Sequence, residues 1–382
     1  MKQKFSFFLL LMYMSANLFS QTIYVVDKNP DAPTGDHVFN DLQLCIDNAS
    51  AGDMIHIIPA VDDYGSVSIN KELHLVGSGW IPDSQTGEIS KVNTIVFLAN
   101  QANGSSLNGL VLTETKHYPI IFGDLNAPLD TLKNIEIYNC KVPGILQRDN
   151  CPIKNVILRN NVFATLYSTD GYTTLNFDVN DGMTENLLIT NNIIGTNYAN
   201  GNIRTGISAA NQTLITNNLL FSRDGYYFFF NIRNCFITNN VFYGSSAKSY
   251  KYGSTVGFNY ANVYSNNLSF DCTNYGGCDI PPVSTSSPVN TGSGNLTNTD
   301  PLYENIISGW VWKNEFSLTL LDYSPLPNAG TDGTDIGIMG GQYPFKNYNN
   351  LRGVPYVHKM SVPALILQNQ PIELDAEGRT NK

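Results

Sequence analysis

Charge is what this sequence has least of. Only 14% of its 382 residues are Asp, Glu, Lys or Arg, and 22 basic against 32 acidic residues leave a net charge of −10. No basic run is present to follow a phosphate backbone, which excludes nucleic acid as a partner. Histidine is scarce as well, five in all. His56 and His74 sit on alternating apolar stretches and could stack outside, yet two imidazoles without a third ligand do not make a metal site. Six cysteines are too few for a disulfide scaffold at this length. Cys272 and Cys278 bracket a Gly-rich loop and are the best-placed pair, Cys235 reads as core, and Cys140 with Cys151 could form a second bridge. Beyond the first twenty residues no stretch is long and apolar enough to span a bilayer.

Those first residues, Met1-Lys-Gln-Lys4 followed by the apolar Phe5 to Met14, have the basic and hydrophobic regions of a signal peptide. Residues 1–20 are therefore expected to be removed from a protein that is secreted or held at the cell surface or in the periplasm, as a monomer. Residues 21–50 read as a strand and a short helix. Asn40 is the expected cap, with a staple between Phe39 and Leu44 and an apolar face of Leu42, Cys45, Ile46 and Ala49. Residues 342–353 read as a linker and 354–382 as an incomplete β segment.

Between them a phrase keeps returning. Asn155-Val-Ile-Leu-Arg-Asn160-Asn161-Val-Phe163 comes back as Asn186-Leu-Leu-Ile-Thr-Asn191-Asn192-Ile-Ile194, as Thr213-Leu-Ile-Thr-Asn217-Asn218-Leu219 and as Asn234-Cys-Phe-Ile-Thr-Asn239-Asn240-Val-Phe242. Worn copies end at Asn139-Cys140 and Asn266-Asn267-Leu268, so the first Asn advances by 21, 31, 26, 22 and 27 residues. Loose spacing in the twenties is the signature of a solenoid whose insertions sit in loops. Each run is too short for a helix and too apolar on both sides for a solvated hairpin. Stacked, the runs give parallel strands, with Leu158, Ile189, Ile215 and Ile237 at one inward offset. Asn tolerates the left-handed backbone of a sharp corner, and its amide can bond the Asn above and below.

These phrases resemble the right-handed parallel β-helix superfamily that includes pectate lyases, in the manner of secreted Bacteroidetes-type repeat proteins. The resemblance covers most of the chain and implies an all-β, single-stranded solenoid over residues 51–341. Ala51-Gly-Asp53 after the helix is similar to that superfamily's end cap, and Gly77-Ser-Gly79 to an early corner. Asp300-Pro-Leu-Tyr303, Ser324-Pro-Leu-Pro-Asn-Ala-Gly330 and Asp335-Ile-Gly-Ile-Met-Gly-Gly341 resemble its closing coils.

For chemistry, Asp149 lies ten residues after Asn139 and Asp170 ten after Asn160. Coils in register would stack the two carboxylates roughly 5 Å apart, the spacing of a retaining glycosidase pair or a shared cation. The long loop adds Asp178 and Asp181, while Arg148, Arg204 and Arg223 could act as base or charge stabiliser. Asp in turns is also explained by turn geometry alone, as at Asp170-Gly171 and Asp224-Gly225. Tyr226-Tyr-Phe-Phe-Phe230 must turn alternate rings outward on a strand, so Tyr226, Tyr227 and Asp224 are candidate sugar contacts, unless loops cover them. Asn298-Thr-Asp300 echoes a hydrolase motif of the superfamily, but no Gly-His-Gly or Arg-Ile-Lys accompanies it. The expected function is non-catalytic binding of a polysaccharide or cell-surface glycan. The alternatives are a polysaccharide lyase or glycoside hydrolase, with Ca²⁺ as cofactor if a lyase, and a structural adhesin stalk.

Overall fold

The structure, a computed structural model, describes residues 21–30, 32, 35–80, 87–114, 118–126, 128–163, 174–178, 180–195, 198–199, 202–203, 207–208, 211–221, 227–244, 246–249, 251–252, 255–272, 277–306, 316–345, 355–361 and 375–380. Strands one coil apart are neighbours in three main parallel sheets. The first sheet runs from Val38–Phe39 and Ile23–Val26 through Asp53–Ile57, Ile153–Arg159 and Thr184–Thr190 to Thr291–Ser293. The second runs from Ser66–Ile69 to Ser246–Ser249, and the third from Val162–Phe163 to Leu268–Phe270. A chain that visits each sheet once per coil is a parallel β-helix.

Alternation within each strand supplies the core. On the first sheet Ile55, Leu75, Leu107, Ile137, Leu158, Ile189, Ile215 and Ile237 are cross-strand partners in one fully buried column. On the second, Val67, Ile95, Ile120, Ile145, Leu175, Ile207 and Phe229 do the same. Each such side chain contributes about 1.5–3 kcal/mol by leaving water.

The Asn-Asn pairs divide two tasks between them. The first Asn turns the chain: Asn139, Asn160, Asn191, Asn217, Asn239 and Asn266 all have φ between 51° and 56°. The second enters the solenoid. Asn161, Asn192, Asn218, Asn240 and Asn267 are fully buried. In each, the backbone N–H and the side-chain Nδ2 both donate to Oδ1 of the residue one coil on, as Asn192 does to Asn218 at 2.9 and 3.1 Å. Nδ2 also reaches a strand carbonyl on the coil before, as from Asn218 to Ile189 at 2.8 Å. Cys140 begins this column, with only its N–H donating to Asn161, which is why a cysteine can stand there. At the start of the first-sheet repeats, Asn134, Asn155, Asn186, Gln212 and Asn234 make a second left-handed kink.

The helix is Leu42–Asn48, and its cap is Asp41 rather than Asn40: Asp41 Oδ1 accepts from Leu44 N at 2.7 Å. That one-residue shift points Leu44 to solvent, so the expected staple with Phe39 does not form. The apolar face Leu42, Cys45, Ile46 and Ala49 is buried over the end of the solenoid. Asp53 anchors the cap, its carboxylate accepting from Thr22 N and Ser50 N at 2.8 and 2.7 Å. Cys272 and Cys278 are joined by a disulfide with Cα atoms 5.2 Å apart. Cys140 and Cys151 are free and buried, as is Cys235, so the second bridge is absent.

The stretch from Ser324 adds no coil. It runs lengthwise as a strap, back across the corners just built. Asn266 Nδ2 donates to the carbonyl of Ala329, Asn239 pairs with Thr331, and Asn217 donates to Asp335 and Gly337. Asn191 donates to Ile338 and Gly340 at 2.9 and 2.7 Å, and Asn160 to Tyr343 at 2.9 Å. The expectation of closing coils fails here because the left-handed Asn corners turn their amides outward, offering a line of donors along the axis. The glycines have the same origin: a Cβ on Gly340 would lie 1.8 Å from the Asp335 carbonyl oxygen. Residues 342–345, read as the start of a linker, belong to this strap, with Phe345 buried. Further on, Pro355–Ser361 and Asp375–Thr380 pair as antiparallel strands.

Candidate functional site

The strap settles which outer face is sealed. Val162, Ile193, Leu219, Val241 and Leu268 point outward from the third sheet, and all are sealed against Leu326, Ile336, Ile338 and Phe345 of the strap, together with Tyr303, Phe316 and Leu318. The first sheet carries a comparable outward row that remains in contact with solvent. Ile157, Leu188, Leu214, Phe236 and Val263 are successive cross-strand partners, with Leu214 40% and Phe236 56% exposed.

Beside this apolar row runs a hydroxyl row, Thr190, Thr216, Thr238 and Ser265. Thr216 Oγ1 donates to Asn217 Oδ1 at 2.8 Å, and Thr238 Oγ1 donates to Thr216 Oγ1 at 3.0 Å. The corner asparagines bring the strap alongside, so the hydroxyl row lies between apolar row and strap. At one end the pattern turns ionic. Arg159 lies over Tyr138 and Tyr343, 4.1 and 5.0 Å from the ring centroids, and its Nε binds Glu136 at 2.5 Å. The neighbouring Lys154 and Glu185 pair at 2.6 Å. Five rungs at about 4.8 Å make this open face roughly 20 Å long. It is a flat amphipathic floor.

The predicted acidic residues stand at its margin, in the turns that lead from the second sheet to the first. The register Ile145↔Leu175 and Leu146↔Asn176 puts thirty residues between equivalent positions. Arg148 is therefore level with Asp178. The inserted residues of this coil precede its second-sheet strand, so an offset counted from the Asn corner is not kept beyond that strand. Asp170 itself lies outside the described residues, as do Arg204, Arg223, Asp224 and Tyr226. Asp149 is exposed. Asp178 closes its own turn by accepting from Asn180 N at 2.8 Å. Asp181 binds Arg233 at 3.0 Å and Asn211 at 3.1 Å. Arg148 buries its Nε without a hydrogen-bond partner.

These turns are pinned from inside by Gln147, which takes a core position next to Phe122. Its Nε2 donates to the carbonyls of Cys151 and Met183 at 3.0 and 2.7 Å, and its Oε1 accepts from Asp178 N at 3.1 Å. Among the described residues no group of three His, Cys, Asp or Glu could hold a metal ion. His56 and His74 do not stack: the register sets His74 beside Met54 and His56 beside Val76. In the aromatic run, Tyr227 begins a strand and the register slips between it and Phe229. That slip sends both Phe228 and Phe229 into the core, where each packs edge-on against Phe242, instead of alternating outward. The open row on the first sheet was missed by sequence reasoning, although its signal was present as runs too apolar on both sides for a one-sided strand.

The class defined by these features is a parallel β-helix with the outer face of its third sheet sealed and that of its first sheet open. Among solved structures, the chain is similar to a pectin methylesterase in complex with hexasaccharide VII. The identity is 11% and the TM-score 0.34, over 85% of this chain and 99% of that one. It is likewise similar to pectate lyase Pel9A, at 12% identity and a TM-score of 0.35 over 85% and 97% of the two chains. No family model and no curated protein matches the sequence. The fold assignment rests on the strand register alone. Among the described residues no helix is long and apolar enough to cross a membrane.

Proposed function

We propose that the protein is an exported binding protein that holds an extended polysaccharide along the open face of the first sheet. The observation that carries this reading is the pairing of an apolar row with a hydroxyl row, repeated rung after rung. A sugar ring has the same two-sided chemistry, with C–H groups on its faces and hydroxyls at its edges. Aromatic and aliphatic side chains take the first, and Thr, Ser and Asn take the second. A rung spacing of about 4.8 Å lets successive units of an extended polymer meet equivalent side chains.

The test is incubation of the mature protein with acidic and neutral polysaccharides, with and without Ca²⁺. Binding, new reducing ends and unsaturated products are followed together. Retention without product is the expected result. Unsaturated product would replace this reading with a lyase, for which Arg148 and Asp149 become the first residues to substitute. Reducing ends without unsaturation would point to hydrolysis by a carboxylate.

A further inference from the structure

We infer that the polymer taken by the open face is a neutral polysaccharide with an apolar ribbon face, not a polyuronate. This deepens the binding reading above and rests on it. Along the rungs from Leu188 to Ser293 the outward pairs are Leu188 and Thr190, Leu214 and Thr216, Phe236 and Thr238, Val263 and Ser265, then Thr291 and Ser293. None carries a charge. The charged side chains nearer the start of the face satisfy one another, Arg159 with Glu136 and Lys154 with Glu185.

The hydroxyl row has a direction that decides between ligands. The protons of Thr190, Thr216 and Thr238 are all directed to acceptors within the protein, namely Asn191 Oδ1, Asn217 Oδ1 and Thr216 Oγ1. Thr190 is buried, and what the half-buried Thr216 and Thr238 oxygens keep for a ligand is lone pairs. Such a row accepts hydrogen bonds from sugar hydroxyls, which have protons to give. A carboxylate is acceptor-only and finds no free hydroxyl proton on Thr190, Thr216 or Thr238. Long-range charge acts the same way. Asp149 and Asp178 stand at the margin of the floor on a chain of net charge −10, and that field opposes a polyanion. Phe236, more than half exposed at mid-row, is the natural stacking platform.

Affinity electrophoresis of the full mature chain tests this, with a soluble β-linked glucan, xylan or polygalacturonate cast in the gel at low and high salt. Retardation by a neutral polymer, indifferent to salt, is expected. Phe236→Ala should weaken it about tenfold or more, Phe236→Trp should retain it, and both variants should melt like the parent. Retardation by polygalacturonate alone, relieved by salt, would overturn the neutral class and leave polysaccharide binding intact. Absence of retardation by every polymer would overturn both. Sedimentation covers the remaining occupant: a dimer that Phe236→Ala dissociates, with no glycan retention, would mean that the row faces a second copy, which also overturns the inference.

Discussion

The third and first sheets present nearly the same outer surface and have opposite fates. Each repeat places one aliphatic or aromatic side chain outward on both: Leu219 and Leu214 come from one coil, Val241 and Phe236 from the next. Under the strap, Leu219 and Val241 are fully buried; on the open face, Leu214 and Phe236 are 40% and 56% exposed. Composition does not separate the two rows. The difference is made by residues more than eighty positions further along the chain, held by the amides of the corner asparagines. One outward row thus became a second core, and the other remained available for a ligand.

The largest effect should come from a residue that serves both faces. Asn218→Leu would strip partners from the buried groups of Asn192, Ile189, Thr216 and Asn240. With about 1–3 kcal/mol for each group left unsatisfied, a loss of roughly 4 kcal/mol or more is expected in denaturant melts. A loss under 1 kcal/mol would show that the amide column is dispensable.

Leu219→Ala comes next, at about 2–5 kcal/mol, as for any sealed aliphatic. Its open-face counterpart Leu214→Ala should stay within about 0.5 kcal/mol. Equal losses at the two sites would break the comparison. Gly340→Ala should cost about 1–3 kcal/mol by overpacking and lift the strap between Asn191 and Asn217. Binding of a hydrophobic dye should rise, as the third-sheet row becomes wet while the coils persist. A dye signal unchanged from the parent would mean that the strap yields elsewhere.

A milder effect separates the faces by pH. Burial pushes the Tyr243 phenol, beneath the covering segment, from 10 up to about 12, and Tyr303 is raised further by burial and by Tyr243 beside it. A raised folded-state value means that the native state holds the proton more tightly. Its stabilisation is complete below pH 10 and drains away as pH climbs toward 12. Tyrosinate absorbance should therefore rise with unfolding of the covered side, and Tyr243→Phe should make that transition shallower. An identical alkaline transition in the variant would remove Tyr243 from the account.

The sequence by itself determined the repeat, the parallel strands and the inward columns, because each depends on local alternation and on the left-handed tolerance of Asn at a corner. It also determined the cap, where only the start of Leu42–Asn48 moved by a residue. It did not determine which residues of the next coil are level with Arg148. The number of residues between two second-sheet strands says nothing of whether an insertion precedes or follows the strand, and register is set by hydrogen bonds between coils. Nor could it say that the Asp335-Ile-Gly-Ile-Met-Gly-Gly341 stretch runs along the axis. That path exists only once five coils have stacked their corner amides into a line, so the strap's partners are made by the fold it then covers. Which outward row is core and which is surface follows from that docking. It is a non-local choice that no single repeat contains.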